Sequence, residues 1–556
     1  MASRKDELIF LPLGGLGEIG MNAALYGFGP GKKKKWILVD CGVTFGDEEN
    51  PGIELILPDL HFIEERREDL VGIVITHAHE DHIGALVELW PRLKAPVYMS
   101  PFAASLLETR RLGEPGAPKI PINVIEQGGR VELGPFDVQL VPVSHSIPES
   151  NSLAIRTPLG LVVHTGDWKL DDAPFIGKVT NAETFKALGD EGVIAAISDS
   201  TNVMREGVSP GETDVAAALT EIMGQAEHRV AITTFASNVA RIFAVAQAAQ
   251  ACGREVVLAG RSLERVASVA RELGYLEGIP EFRSIDAFER LPRNKVVLLL
   301  TGSQGEPRAA LARIAQDDHR QISLTQGDIV VFSSRLIPGN EKPVIRIVNA
   351  LAEKGVRVVT DRDGLIHVSG HPRRGEMAKL YEWLRPNLVV PAHGEAQHLA
   401  EHVRFARSLG IPHALVARNG AMLRLAPGEP EIIDHVRHGR LLKDGAIVLD
   451  PADKAVAERR RLSLAGIVTV AIAIDGKGEI AGDPVIDVLG LPMKARDGKE
   501  LIDIIADAVA NTLDSLPRAK RKDSELVENA IDRTVRASLN GAWGKKPACH
   551  VLVVEV

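Results

Sequence analysis

The segment HAHEDH, residues 77–82, carries the densest set of metal-ligand side chains in the sequence, at the end of an apolar run that predicts a buried strand. Burying imidazoles and carboxylates together is costly unless they share a partner. Zinc and similar divalent metals take these two ligand types in proteins. His77 and His79 lie two residues apart, so in an extended loop they point the same way and can share one ion. Asp81 and His82, a turn later, are placed to reach a second ion.

Two further candidate ligands follow other predicted strands. His145 comes after the apolar run 138–143, and Asp167 comes after the run 161–164, in the sequence Thr-Gly-Asp. A carboxylate can bind two cations through its two oxygens, so Asp167 suits the centre of a two-metal site. Two alternatives stand beside this prediction: the segment 77–82 as a solvated histidine-rich loop, and a structural role for a lone His or Asp at a strand end.

The elements that must position these residues follow two patterns. Up to about residue 205, short β-rich segments are separated by turns, and the same style returns between 366 and 450. From about 212 to 365, apolar strands alternate with helices, which predicts a parallel α/β sheet. The charged segment 451–462 predicts a linker or connecting helix. A small α/β module follows it.

Composition limits the class of protein. Lys+Arg 65 against Asp+Glu 74 gives a net charge of −9, which argues against a surface coated in basic charge for nucleic acid or membrane, although a local basic groove is compatible with it. The cysteines, Cys41, Cys252 and Cys549, form no CxxC pair, so we expect no disulfide framework. The start, MASRKDELIF, does not resemble a signal peptide, and no apolar run is long enough to span a bilayer. These features predict a cytoplasmic protein with no membrane partner.

One glycine-rich segment, GLGEIG at residues 15–20, fits the dinucleotide-binding pattern GxGxxG, and Asp40 follows at the spacing of that fingerprint. The fingerprint requires a helix directly after the glycines, whereas residues 21–28 read as a second strand. The glycines are therefore predicted to form a tight loop facing the metal centre.

The HxHxDH spacing of residues 77–82, with His145 and Asp167 downstream, resembles the metallo-β-lactamase superfamily. Asp40, in Leu-Val-Asp-Cys-Gly, is similar to the aspartate of the superfamily's first motif, which orients the metal loop. The resemblance implies an α/β fold of the αββα sandwich type. It leaves many hydrolases open, from lactamases and thioesterases to nucleases.

Three later segments resemble motifs A, B and C of the β-CASP nucleases: Ser198-Asp199-Ser200, Ser369-Gly370-His371 and Pro391-Ala392-His393-Gly394-Glu395. In that family a parallel α/β domain is inserted into the metallo-β-lactamase domain, which matches the change of pattern between 212 and 365. A histidine at the motif C position, here His393, favours RNA over DNA as substrate.

Longer strings resemble the bacterial ribonuclease J family, from about residue 8 to 450 and more weakly beyond. They include LGGLGEIGMN (13–22), THAHEDHIGAL (76–86), HSIPESNSLAI (145–155), HTGDWKLD (164–171), SDSTN (198–202), TTFASN (233–238), TGSQGEPRAAL (301–311), SSRLIPGNE (333–341) and HVSGH (367–371). On this resemblance the domains are expected at 1–210 and 366–450 (metallo-β-lactamase, in two parts), 211–365 (β-CASP), 451–465 (linker) and 466–556 (C-terminal α/β oligomerisation domain).

The resemblance also implies a role for individual residues. The metal ligands expected are His77, His79 and His145 for one zinc ion, Asp81, His82 and His393 for the other, and Asp167 bridging the two. The catalytic residues expected are Asp81, Asp199 and His371, with His371, oriented by Asp199, stabilising the transition state or protonating the leaving 3′ oxygen. The substrate-binding residues expected are His367, Ser369, Ser237 and Asn238.

The function implied is a zinc-dependent ribonuclease with two Zn²⁺ per chain, stimulated by Mn²⁺ or Mg²⁺. It would act as a 5′→3′ exonuclease on 5′-monophosphorylated RNA and as an endonuclease, in rRNA processing and mRNA decay. A homodimer or homotetramer is expected, with RNA-degradation or ribosome-associated proteins as partners. The alternatives are another metallo-β-lactamase-fold hydrolase, acting on a small ester or thioester, and a catalytically dead RNA-binding scaffold.

Overall fold

The computed structural model describes residues 6–46, 49–337 and 339–556. The first five residues of the N-terminal sequence, and Pro338 of the string 333–341, lie outside the described residues. Contacts divide the chain into two compact units. One holds the described residues up to Thr44 together with Leu57–Arg440, and the other holds the described part of Phe45–Ile56 together with Leu441–Val556. The domain boundaries expected at 210, 365 and 450 stay predictions.

The strands are, in chain order, β1 (Asp6–Gly14), β2 (Leu16–Gly17), β3 (Ala23–Pro30), β4 (Lys35–Val39), β5 (Thr44–Phe45), β6 (Leu55–Pro58), β7 (Leu70–Val74), β8 (Val97–Met99), β9 (Ile122–Val124), β10 (Arg130–Leu133), β11 (Phe136–Pro142), β12 (Asn151–Thr157), β13 (Gly160–His164), β14 (Val193–Asp199), β15 (Val230–Thr233), β16 (Glu255–Ala259), β17 (Val296–Leu300), β18 (Ile329–Phe332), β19 (Arg357–Val359), β20 (Leu388–Ala392), β21 (Gly394–Glu395), β22 (His413–Ala414), β23 (Ala421–Ala426), β24 (Glu431–His435), β25 (Arg440–Asp444), β26 (Ile447–Leu449), β27 (Ile467–Ile474), β28 (Val485–Leu489) and β29 (Ala548–Glu555).

The α-helices are α1 (His61–Glu64), α2 (Glu80–Ile83), α3 (Leu86–Leu93), α4 (Pro101–Leu112), α5 (Ala182–Glu191), α6 (Glu212–Gln225), α7 (Val239–Ala251), α8 (Arg261–Glu272), α9 (Ala310–Ala315), α10 (Glu341–Glu353), α11 (Arg374–Leu384), α12 (Ala396–Ser408), α13 (Lys454–Ala465), α14 (Leu501–Ser515), α15 (Arg518–Arg521) and α16 (Ser524–Trp543). Among the described helices, none combines the length and the apolar character needed to cross a membrane.

Two large sheets form the centre of the first unit. Their strand orders are β24-β23-β1-β3-β4-β7-β8-β9 and β10-β11-β12-β13-β14-β20-β22. Alternate apolar residues of the two sheets, such as Phe10 and Leu140, lie in one buried cluster. The other face of the second sheet packs on apolar residues of α5, α11 and α12, including Phe185 and Met377. The sandwich predicted from the metallo-β-lactamase resemblance is confirmed.

The inserted α/β region is a five-stranded sheet in the order β16-β17-β15-β18-β19, and every pairing in it is parallel. Its central strands are apolar along their whole length because helices of the region cover both faces. Val297–Leu300 of β17, for example, are all buried. The strand–helix alternation of residues 212–365 therefore predicted this sheet correctly.

Parallel pairing also decides where the chemistry is placed. Strands β13, β14 and β20 are parallel neighbours in one sheet, and β4 and β7 are parallel neighbours in the other. The carboxyl ends of parallel strands meet at one edge, so the loops that follow them converge. Strand β3 directly follows the glycine-rich loop 15–20, which confirms that no dinucleotide-binding helix begins there.

The second unit contains a three-stranded sheet, β28-β27-β29, and most residues of a four-stranded sheet, β26-β25-β6-β5. Helices α14 and α16 pack on one face of the first of these sheets. Val527, Ile531 and Val535 of α16 are buried there, as their four-residue spacing predicted. Helix α13 occupies most of the segment predicted as a linker or connecting helix.

Candidate metal centre

The seven residues predicted as metal ligands lie together at the carboxyl ends of β7, β11, β13 and β20. Their ligand atoms form two groups that share Asp167, and within each group all atoms lie within 4.8 Å of one another. The first group is His77, His79, His145 and Asp167, and the second is Asp81, His82, Asp167 and His393. The assignment of each residue to one of two ions is developed below as a proposal.

The first group is a cluster of imidazole nitrogens. Nδ1 of His79 lies 3.1 Å from Nε2 of His77 and 3.0 Å from Nε2 of His145. Oδ2 of Asp167 is 3.7 Å from each of the two Nε2 atoms. Burial lowers the pKa of His79 to about 4 and holds the pKa values of His77 and His145 well below their usual range. The three rings are therefore neutral near pH 7, which is the form that binds metal.

The second group pairs two imidazoles with two carboxylates. Nε2 of His82 lies 3.3 Å from Oδ2 of Asp167 and 3.6 Å from Oδ2 of Asp81. Nε2 of His393 lies 3.2 Å from Oδ2 of Asp81, and its Nδ1 lies 2.8 Å from Oδ1 of Asp167. His393 has a positive φ of 48°, so the chain turns sharply after β20 to bring this ring into the cluster.

The two carboxylates of the second group change the pKa values of its histidines. Burial opposes protonation of His393, but Asp167 and Asp81 outweigh it and raise the pKa of His393 to about 10. The same carboxylates and Asp40 raise the pKa of His82, again against burial. Burial alone would raise the pKa of Asp81, yet His82 and His393 hold it well below its usual range. The carboxylates thus draw positive charge into a buried site.

The donor set fits metal ions. Nε2 of His393 is buried and makes no hydrogen bond with the described residues, although Asp81 is close to it. Close approach without a directed hydrogen bond is what converging metal ligands show. Nitrogen from histidine combined with carboxylate oxygen is the ligand set of zinc and related divalent metals. The centre is a metal-binding site.

Hydrogen bonds outside the cluster fix the ligand rings. The Asp40 carboxylate, at a positive φ of 61° after β4, accepts from Thr76 N (2.8 Å), Thr76 Oγ1 (2.9 Å) and His82 Nδ1 (2.7 Å). Because Thr76 Oγ1 donates to Asp40, it accepts from Nδ1 of His77 at 3.0 Å. This network uses the Nδ1 atoms of both histidines and turns their Nε2 atoms towards the cluster, where Asn22 Nδ2 also lies 3.0 Å from Nε2 of His82. Asp40 thus contacts the metal loop as the superfamily motif implied.

His145 is fixed in the same way by the motif B segment. Its Nδ1 donates to the carbonyl oxygen of Gly370 at 2.7 Å, which leaves Nε2 for the cluster. The approach is so close that a Cβ at residue 370 would lie 2.6 Å from the His145 ring. Glycine is therefore required there by the packing of the ligand.

Beside the metal cluster, His371 and Asp199 form a hydrogen-bonded pair. Nδ1 of His371 donates to Oδ2 of Asp199 at 2.8 Å, and it lies 3.8 Å from Oδ2 of Asp167. Burial works against protonation, but Asp199 and Asp167 outweigh it and raise the pKa of His371. This ring is held in place by one carboxylate and can carry a proton next to the metal ligands.

The four residues predicted to bind substrate do not all present free side chains. His367 Nδ1 is buried and has no hydrogen-bond partner among the described residues. The Ser369 hydroxyl accepts from Asn202 Nδ2 at 2.8 Å. Asn238 caps the start of α7, its side chain accepting from Arg241 N at 2.8 Å, and Ser237 precedes it in the same turn.

Several polar residues of the site were not singled out from the sequence. Asn202 donates to Ser369 and to the carbonyl oxygen of His371 and accepts from Arg335 Nη1 at 2.8 Å, so it links an arginine to motif B. His402 is buried between Ser200 Oγ (2.9 Å) and the hydroxyl of Tyr381 (2.5 Å). The only signal for Asn202 was its place in the string SDSTN beside motif A.

Four family profiles match the chain in succession. The metallo-beta-lactamase superfamily matches residues 21–177, and the ribonuclease J beta-CASP domain matches residues 227–351. The Zn-dependent metallo-hydrolase RNA specificity domain matches residues 355–416, and the ribonuclease J C-terminal domain matches residues 454–556. Together they agree with the two-sheet sandwich, the inserted parallel sheet and the small C-terminal sheet.

Whole-chain relatives agree with the profiles. Ribonuclease J of Sinorhizobium meliloti is 51% identical over 554 residues, covering 100% of this chain and 98% of that protein. Ribonuclease J of Mycolicibacterium smegmatis is 38% identical, covering 98% of this chain and 96% of that protein. Ribonuclease J of Thermus thermophilus is 34% identical, covering 99% and 96%.

Among solved structures, a protein of unknown function from Enterococcus faecalis V583 shares the fold with a TM-score of 0.53 at 16% identity, covering 75% of this chain and 100% of that chain. Fold, metal cluster and full-length identity point the same way. The chain belongs to the ribonuclease J family of the metallo-β-lactamase superfamily.

Proposed function

We propose that this chain is a metal-dependent ribonuclease that hydrolyses RNA phosphodiester bonds as a 5′→3′ exonuclease on 5′-monophosphorylated RNA and as an endonuclease. The observation that carries the proposal is the pair of ligand groups joined at Asp167, with the His371–Asp199 pair beside them. The site belongs to a chain of the ribonuclease J family that retains every ligand the family resemblance implies. In the cell, we propose, this ribonuclease serves rRNA processing and mRNA decay.

The residues of the chain divide the chemistry between them. His77, His79 and His145 would hold one ion, Asp81, His82 and His393 the other, and Asp167 would contact both. Bound metals supply Lewis acidity and lower the pKa of water, which permits attack on phosphorus near neutral pH. His371, held through Nδ1 by Asp199, presents its other nitrogen to the leaving group. Protonation of the leaving 3′ oxygen by this ring leaves a 5′-phosphate on the product.

Zinc is the metal we propose, at two ions per chain. Five of the seven ligands are histidines, and nitrogen-rich sites suit zinc better than the all-oxygen ions Mg²⁺ and Ca²⁺. Stimulation by added Mn²⁺ or Mg²⁺ remains part of the proposal. Elemental analysis measures the metal content of the purified protein directly. About two zinc ions per chain would support the assignment to zinc. Another metal at about two ions per chain would refute zinc and identify that metal as the cofactor.

Labelled RNA tests the reaction. With RNA labelled at the 5′ end, we expect mononucleotide to be released first. RNA labelled at the 3′ end should shorten gradually, and internal cuts should appear on RNA with a blocked 5′ end. A chelator should stop both activities, and added Zn²⁺ or Mn²⁺ should restore them. Cleavage that continues at full rate after the metal has been removed would contradict the proposed mechanism.

The same assay separates the alternatives. A hydrolase of small esters or thioesters would cleave such substrates and leave RNA intact. A catalytically dead RNA-binding scaffold would bind RNA without cutting it and would contain no stoichiometric metal. Complete ligand sets and the inserted domain favour the ribonuclease, because a small substrate needs no second domain beside the metal centre.

Exonuclease polarity requires a site that holds the terminal phosphate, and we place it at His367 and Ser369. His367 Nδ1 is buried without a partner, and burial together with the charges of Arg241, Arg335 and Arg205 lowers the pKa of this ring. Arg335 reaches the Ser369 hydroxyl through Asn202. The positive charge of these arginines beside motif B suits a phosphate monoester.

Replacing Arg335 with glutamine should weaken this selection. Wild-type protein is expected to degrade 5′-monophosphate RNA at least about tenfold faster than 5′-triphosphate or 5′-hydroxyl RNA, since a charge-assisted contact contributes about 1.5–3 kcal/mol. In R335Q the ratio should fall towards one while the rate on 5′-hydroxyl RNA is unchanged. Arg346→Gln, at an exposed position of α10, is the control and should keep the wild-type ratio. Equal rates on all three RNAs by the wild type would argue against a phosphate pocket.

We also propose that the chain forms a homodimer or homotetramer through its C-terminal α/β domain, residues 466–556. The other domain limits, at residues 210, 365, 450 and 465, are part of the same proposal. In support, the face of the three-stranded sheet opposite α14 and α16 exposes Val485 (68%), Leu489 (64%) and Val554 (54%). Exposed apolar patches of this kind mark interaction sites. Sedimentation of the purified chain distinguishes the two states from a monomer. RNA-degradation or ribosome-associated proteins are proposed as further partners, and a cytoplasmic location is proposed with them.

A further inference from the structure

The loop that carries the metal ligand His145 is also attached to the inserted α/β region. The His145 ring joins the first ligand group and donates to Gly370 O. The next residue, Ser146, accepts a hydrogen bond through its carbonyl oxygen from Ala240 N, at the start of α7, at 3.2 Å. One short loop therefore contacts the metal ligands on one side and a helix of the inserted region on the other.

Glu149 ends this loop and makes a second connection. Its side chain is buried, and its φ of 58° is unusual for a residue with a side chain. Oε2 accepts from Phe102 N at 2.6 Å, at the positively polarised start of α4. Oε1 accepts from the hydroxyl of Tyr275 at 2.6 Å. The two oxygens of one carboxylate thus bind the sandwich and the inserted region at once.

Tyr275 lies just after α8 of the inserted region and packs against the same place. Its ring stands edge-on to Phe102, with centroids 5.8 Å apart and an interplanar angle of 83°. Burial and the neighbouring Glu149 carboxylate raise the pKa of the Tyr275 hydroxyl, which keeps it a donor at neutral pH. Loss of the hydroxyl would leave a buried carboxylate oxygen without its partner, so the contact is specific in chemistry as well as in shape.

We propose that Glu149 and Tyr275 are positioning residues that hold the inserted region at a fixed place relative to the metal centre, through the loop 145–149. The inference rests on the proposed ribonuclease function, because an RNA chain that contacts both parts binds correctly only when their relative position is fixed. Misplacement of about 1 Å by a residue far from the chemistry can cost a large factor in rate. A substrate that reaches the metal centre alone does not depend on this register.

Tyr275→Phe removes only the hydroxyl and is the test variant. We expect KM for a long 5′-monophosphorylated RNA to rise about five- to tenfold, with the metal content unchanged. Turnover of a 5′-hydroxyl dinucleotide should stay within about twofold of wild type, since that substrate lacks the terminal phosphate held beside Arg335 and spans little more than the scissile phosphate. Glu149→Gln should behave similarly, and the double variant should be no worse than the more affected single variant.

Tyr98→Phe, in β8, is the matched control and should leave both substrates unaffected. A merely structural role for Tyr275 would lower the active fraction, and so would reduce kcat on both substrates by one factor with KM unchanged. That result, or a double variant whose effect is the product of the single effects, would overturn the inference.

Hydrogen exchange gives an answer that does not depend on RNA cleavage. In Tyr275→Phe, the amide of Phe102 and the amides of residues 273–277 should exchange at least about threefold faster, while Tyr98→Phe leaves them unchanged. Unchanged exchange in Tyr275→Phe would overturn the connection. If exchange is faster in Tyr275→Phe but the wild-type protein cleaves no RNA, the connection is upheld and the proposed function is refuted instead.

Discussion

Replacing Asp167 with asparagine is expected to slow RNA cleavage by about a thousandfold and to reduce the metal content of the purified protein. Asp167 is the one residue shared by both ligand groups, and its carboxylate lies within 3.7 Å of His77, His82 and His145. An amide keeps the shape of the side chain but loses the negative charge and one acceptor oxygen. Breaking a buried charge interaction costs about 3–5 kcal/mol, so a loss of about a thousandfold in kcat/KM is expected.

The control for this experiment is Asp172→Asn. Asp172 lies five residues further along the chain, is exposed and belongs to neither ligand group, so its variant should keep wild-type activity and metal. Circular dichroism and gel filtration should show both variants folded. An Asp167→Asn protein that holds two metal ions per chain and cleaves RNA at the wild-type rate would refute the two-metal assignment.

The metal cluster was the part of the site most accessible to sequence reasoning. Its ligands are histidines and aspartates placed at strand ends, and four of them fall within residues 77–82. His145 and Asp167 each follow a predicted strand, and the cluster at residues 77–82 made a shared metal site the favoured interpretation of both. His393, more than 300 residues from HAHEDH, was found only through the family resemblance.

The contacts made by residues without a recognisable motif could not be predicted from the sequence. Asn202, Arg335 and Tyr275 have no local pattern that marks them, because each acts through a partner distant in the chain. Asn238 shows a related case: its side chain caps α7, and its contact with substrate stays a prediction. A capping asparagine and a ligand-binding asparagine look alike in a sequence, since only the neighbouring backbone distinguishes them.

Net charge was a weak guide to the substrate for a related reason. The net charge of −9 counts carboxylates such as Asp81 and Asp167, which belong to the ligand groups inside the site. Recognition of RNA depends on the local field near the scissile phosphate. There the arginines around His367 provide positive charge that the whole-chain sum conceals.

Replacing His371 with alanine is expected to slow RNA cleavage by about 10²- to 10⁴-fold while both metal ions stay bound, because general acid catalysis contributes a factor of that size. His371 is not needed to complete either of the two ligand groups described above, so its loss should leave them intact. Asp199→Asn should give a smaller defect, since the ring would remain but would be less well oriented and less readily protonated. Metal analysis and single-turnover kinetics measure the two effects separately. His435→Ala, at an exposed position of β24, is the control.

A substrate with sulfur in place of the bridging 3′ oxygen decides between the two roles considered for His371. A thiolate leaves without protonation, so a general acid becomes dispensable, and the His371→Ala defect should shrink to within about tenfold of wild type on this substrate. If the ring instead stabilises negative charge on the phosphoryl oxygens, those oxygens are unchanged and the defect should keep its full size. Both roles use a protonated ring, so the raised pKa of His371 suits either of them, and the sulfur substrate is what separates them.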